Sequence, residues 1–158
     1  MTQYSATVDT AHDLIQIQQD RAANYRRVLL APSHLTEGAK YMLDEIGRQA
    51  DQFHKELAES LAQVDGHAGD FYLGRVYTTW SNKRVPIDGQ EDKPVLASCE
   101  ADLNALLAAY RAALGPEIPL TPMLRKYASK QSMEITSLLG NVENFTLTGA
   151  WRAGSAGD

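Results

Sequence analysis

Residues 36–64 read TEGAKYMLDEIGRQADQFHKELAESLAQV, and this stretch decides the fold. Leu43, Ile46, Ala50, Phe53, Leu57, Leu61 and Val64 recur at spacings of three and four, which places them on one face of an α-helix. The opposite face carries Lys40, Asp44, Arg48, Lys55 and Glu59, a solvated pattern. Thr36 reads as the N-cap, with Glu37 in the first turn where a negative charge suits the helix dipole. Gly66 and Gly69 end the segment. At 1.5 Å per residue such a helix is about 42 Å long, enough to span a domain.

The same periodicity appears on either side. In 10–30, Leu14, Ile17, Arg21, Tyr25 and Val28 form a stripe that Ile15 and Leu29 widen; Asp9 or Thr10 caps it and Pro32 marks its exit. In 93–114 a proline opens the helix, and Leu96, Cys99, Leu103, Leu106, Tyr110 and Ala113 follow before Gly115-Pro116 stops it. In 121–145, Thr121-Pro122 reads as an N-cap followed by a first-turn proline. Leu124, Tyr127, Gln131, Ile135, Leu138, Val142 and Phe145 make its stripe. Gly140 costs this helix about 1 kcal/mol relative to alanine and predicts a kink or fraying there. Between the second and third helices, 70–80 predicts a short helix and 81–92 a polar, turn-rich connection. The expected organisation is an N-terminal tail over 1–8, a four-helix bundle over 9–147 and a flexible C-terminal tail over 148–158. Two short-looped helix hairpins joined by one long central crossover specify an all-α, ferritin-like arrangement.

Composition narrows the function. The chain has 158 residues and a net charge of −5, from 15 Lys+Arg against 20 Asp+Glu, which disfavours nucleic-acid binding. No apolar run approaches a membrane span and MTQYSATVDT lacks the marks of a signal peptide, so the expectation is a cytoplasmic protein away from membranes. The single cysteine, Cys99, excludes an intrachain disulfide and a paired-cysteine metal site. No phosphate loop, Ser/His/Asp set or dinucleotide fingerprint is present.

Several strings resemble a bacterial ferritin-like family of unknown function, domain of unknown function 2383. They are Leu14-Ile15-x-Ile17-x-x-Asp20-Arg21-x-x-x-Tyr25, Phe53-x-x-Glu56-Leu57, Trp80, Cys99-Glu100 and Ala109-Tyr110-Arg111-Ala112-Ala113-Leu114, spread over about residues 10–140. The resemblance implies a fold and little chemistry. Members often carry a second glutamate three residues after the position of Glu100 and a histidine late in the last helix; here those places hold Leu103 and Leu139.

Ferritin-like di-iron proteins take glutamates from two helices and Glu-x-x-His from the other two, and such hard ligands suit iron or manganese. This chain offers Asp20, Asp51-x-x-His54, Glu100 and Gln131-x-x-Glu134, one carboxylate per helix near mid-height. The candidate metal ligands are therefore Asp20, Asp51, His54, Glu100 and Glu134. They flank the apolar stripes, and acidic residues at helix edges are normally solvated. His12, His34 and His67 fall outside any ligand spacing. Cys99 lies on a core stripe and is expected to pack as an unreactive hydrophobe. Arg21 and Gln131 also fall on core stripes; a buried arginine needs a partner, with Asp20, Glu100 or Glu134 in reach, and such a network would take the place of a metal. Phe71, Tyr72, Tyr77 and Trp80 in the crossover either cap the helices or form a self-association surface. Two readings of function stay open. One is a non-enzymatic bundle without cofactor that acts through an unknown protein partner or as a homodimer, in a stress response by fold analogy. The other is an iron- or manganese-binding protein for iron storage or oxygen and peroxide chemistry.

Overall fold

The computed structural model describes residues 3–64 and 74–152. It is all-helical among these residues: α1 (Gln3–Leu30), α2 (Glu37–Val64), α3 (Arg75–Lys83), α4 (Asp92–Leu114) and α5 (Pro122–Thr148). Four long helices enclose one apolar core, and the short α3 packs against α1 and α4. No described helix is long and apolar enough to cross a membrane.

Local chemistry sets the helix ends. The Thr36 hydroxyl accepts from the Ala39 N–H at 3.2 Å, an N-cap that satisfies one orphan donor of α2. The same residue ties α2 to the start of α4, since its N–H and hydroxyl both donate to the Asp92 carboxylate. Pro122 opens α5. Thr121 does not cap with its side chain; instead its N–H donates to the Thr7 hydroxyl, joining the beginnings of α1 and α5. Gly149 closes α5 in the left-handed conformation, φ 74°, with its N–H bonded to the Phe145 carbonyl.

Two helices are longer than their stripes predict. α1 starts at Gln3 rather than at Asp9 or Thr10, because Ala6, Thr7, Thr10 and Ala11 continue its buried face. α5 runs through Gly140 to Thr148, held beyond the glycine by buried Val142 and Phe145, and Trp151 packs its ring 6.0 Å from that of Phe145. Tertiary packing here outweighs the intrinsic penalty of glycine. The short crossover helix runs over Arg75–Lys83, past the predicted end at residue 80; residues 70–73 of the predicted span, Phe71 and Tyr72 among them, lie outside the described residues, as do Gly66, His67, Gly69 and 153–158.

Side-chain pairs fix the helix directions. Arg26 meets Asp51 while Gln19 meets His54, so α1 and α2 are antiparallel. Tyr25 bonds Asp102 while Gln18 bonds Tyr110, so α1 and α4 are antiparallel. Gln49 reaches the Glu134 carbonyl and Glu56 reaches Gln131, which makes α2 and α5 antiparallel too. It follows that α2 and α4 point the same way and that a crossover carrying α3 must return the chain along their length.

Candidate functional site

The interior of the four helices is polar at its centre. Arg21, on the core stripe of α1, is fully buried. Its guanidinium donates to the Gln18 carbonyl oxygen at 2.6 Å and to that of Gln49 at 3.1 Å. The Gln18 amide donates to the Tyr110 hydroxyl at 2.9 Å, which donates in turn to the Gln131 carbonyl oxygen at 2.6 Å. The Gln131 amide donates to the Glu56 carboxylate at 3.0 Å. Every bond in this chain is donated in one direction, from a buried cation through three neutral side chains to a carboxylate, an order in which each bond polarises the next. Lys130 caps the far end at 2.8 Å from Glu56 and carries the chain to the surface.

The electrostatics follow from this order. Burial pushes the Glu56 carboxyl upward, but bonds from Lys130, Gln131 and Gln52 together outweigh it and hold the group below its ordinary range. Hydrogen bonding to Glu56 raises Lys130. Burial raises the Tyr110 phenol. A second buried pair stands beside the chain: Tyr25 donates to Asp102 at 2.9 Å. Burial raises Asp102, only partly offset by the positive Arg21, by the Tyr25 bond and by Arg84. Burial and the neighbouring Asp102 carry Tyr25 well above its usual value.

The five residues expected to ligate metal are not gathered there. Asp51 is exposed and paired with Arg26. Asp20 is half-buried and accepts from the Tyr77 hydroxyl at 2.6 Å and from Gln16 at 2.9 Å. His54 contacts the Gln19 amide at 3.4 Å on an exposed flank. Glu134 pairs with Lys130 at 3.5 Å, and Glu100 is half-buried on α4. Among the described residues no three His, Cys, Asp or Glu side chains could together hold a metal ion. The reason is rotational. Asp20 precedes Arg21, Asp51 follows Ala50, His54 follows Phe53 and Glu100 follows Cys99, and one residue turns a helix by about 100°. Arg21 is buried as the periodicity requires, but it does not pair with Asp20, Glu100 or Glu134; its direct partners are two glutamine amides, and the nearby negative charge is Asp102. A guanidinium with this donor set does not fit a di-iron or di-manganese centre, because it places positive charge among the groups that would hold the ion.

The crossover turns its described aromatics inward. Val76 and Trp80 are buried, Tyr77 packs edge-on to Trp80 at 5.6 Å, and the Arg84 guanidinium lies 4.7 Å over the Trp80 ring. Asp13 fastens this element: its carboxylate, buried in α1, accepts the Gly74 N–H at 2.8 Å and the Tyr77 N–H at 3.2 Å, an N-cap supplied by another helix. Cys99 is buried among core residues, and burial raises its thiol far from reactivity.

Gln18, Gln49, Glu56, Asp13 and Asp102 escape the sequence argument as functional residues. Gln18 and Asp102 each stand one position off the apolar stripe, where a polar residue reads as solvated. Glu56 sits beside Leu57, and only its place in the resemblance marks it. No family model matches the chain, and no curated protein or solved structure matches it significantly.

Proposed function

We propose that this chain is a ferritin-like helical scaffold that works without a metal centre, through contacts with other protein chains and with itself. The observation that carries the reading is the fully buried Arg21, hydrogen-bonded into a network that draws on α1, α2, α4 and α5 at mid-height. Ferritin-like metal proteins direct carboxylates and imidazoles inward at this level. Here the level is filled by a guanidinium, amides and phenols, and its two buried carboxylates are already engaged, Glu56 by Lys130 and Gln131 and Asp102 by Tyr25. Such a network fixes the register of four helices against one another, a role well suited to buried polar groups. The parallel course of α2 and α4 around a long crossover supports the ferritin-like topology. Its setting in a stress response rests on fold analogy alone.

The test is metal loading of the untagged protein. Fe(II) or Mn(II) is offered anaerobically, the sample is desalted, and metal per chain is measured by mass spectrometry. The reading expects well below one ion per chain. About two ions per chain, lost when His54 and Glu100 are both changed to Ala, would overturn it.

A further inference from the structure

We propose that a second copy of this chain docks antiparallel on the outward face of α4, and that the partner's Arg111 enters the groove between α4 and the arm at Val85-Pro86. This rests on the self-association named above and gives it a surface.

The outward faces of the long helices differ in kind. That of α2 is mostly charged, with Lys40, Asp44, Arg48, Asp51, Lys55 and Glu59 around the exposed Tyr41. That of α4 carries Ala97, Ala101, Asn104, Ala108 and Arg111, spaced four, three, four and three. This is a second helical seam, opposite the one that packs into the core, and its small side chains let another helix approach closely. Beside it lies a groove of about 510 Å³, lined by Val85, Pro86, Pro94, Ala97 and Ala101, with Asp88 on its wall. Val85 is 44% exposed there and, with Pro86, gives the groove an apolar rim.

Charge selects the occupant and its direction. Asp88, Glu91 and Asp92 crowd the beginning of α4, and Arg111 lies near its end. Among the described residues the Arg111 guanidinium has no hydrogen bond or ion pair, and the Asp88 carboxylate accepts only the N–H of its own neighbour Gly89. A parallel pair would set Asp88 on Asp88 and Arg111 on Arg111. A two-fold antiparallel pair sets each arginine on the other copy's aspartate, the self-complementary arrangement of a closed dimer. The heptad spacing then layers Asn104 on the partner's Ala108 and Ala101 on the partner's Arg111. In that register the arginine's methylenes cover Val85 and Pro86 while its guanidinium reaches Asp88.

The test is sedimentation of the full chain over a range of concentrations, alongside Ala101→Glu, Arg111→Glu and the charge swap Asp88→Lys with Arg111→Glu. The proposal expects a wild-type dimer. It expects each single variant to raise the dissociation constant by roughly tenfold or more at unchanged helicity, and the swap to restore association. A wild type that is monomeric at its highest soluble concentration overturns self-association and this surface with it. A dimer that both single variants leave intact overturns the surface alone. Should Ala101→Glu fail to fold, Arg111→Glu at its exposed position and the swap still decide.

Discussion

Tyr110→Phe removes one oxygen atom and nothing else, so it isolates what the central network contributes. The hydroxyl accepts from Gln18 at 2.9 Å and donates to Gln131 at 2.6 Å, and all three side chains are fully buried. The ring stays in place, so no cavity forms. The substitution leaves the Gln18 amide without an acceptor and the Gln131 carbonyl oxygen without a donor. An orphaned buried polar group costs about 1–3 kcal/mol, so two, partly relaxed, cost about 3 kcal/mol. For a chain of this size that is a fall in Tm of roughly 9 °C. Urea unfolding should show a lower midpoint at an unchanged slope, which separates a stability effect from a change in the unfolded state. Combining Tyr110→Phe with Gln131→Met should cost less than the two separately, by about 1 kcal/mol, since the pair shares one bond. A loss below about 0.5 kcal/mol with additive singles would refute the network as drawn, because the hydroxyl would then be bridging nothing.

Other outcomes follow from the same geometry. Asp13→Ala should cost about 1 kcal/mol and speed amide exchange over 75–80, with Asp13→Asn milder; unchanged exchange would mean α3 does not depend on this cap. Glu56 is held below its ordinary value in the folded chain, so its contribution is complete above the unfolded value of about 4.3 and vanishes as pH falls through the folded one. Glu56→Gln should therefore lose less stability than wild type between neutral pH and about pH 3, and equal losses in urea titrations would count against the assignment. Cys99 should react with an aromatic disulfide reagent only as fast as the chain unfolds; rapid labelling of the folded protein would contradict its burial.

The fold was legible because apolar periodicity survives single errors. Leu43, Ile46, Ala50, Phe53 and Leu57 are all buried, as are Leu96, Cys99, Leu103, Leu106, Tyr110 and Ala113. Leu61 and Tyr127 are exceptions: both are half-buried, and Ala128 fills the core position beside Tyr127. Helix ends were less legible: the start of α1 is held by the burial of Ala6 and Thr7, which an apolar stripe does not announce, and the exposed end of α5 is closed by the Gly149 cap. The site was legible only where polar residues fall on the stripe itself, as Arg21 and Gln131 do. Their partners were not. Gln18, Gln49 and Asp102 lie at stripe edges, where one residue of rotation, about 100°, separates a buried side chain from a solvated one, and single-helix patterns carry no account of the neighbouring helix. Asp20, Asp51, His54, Glu100 and Glu134 show the same ambiguity resolved toward the flanks.

The central claim is that a guanidinium occupies the middle of the helices. It is tested most directly by the arginine Nε–H resonances of the nitrogen-15-labelled protein, with Arg21 assigned through Arg21→Lys, recorded before and after Mn(II) is added. The account predicts a slowly exchanging Arg21 signal that stays sharp with the paramagnetic ion present. Selective broadening of that signal would place the metal beside Arg21 and contradict the account.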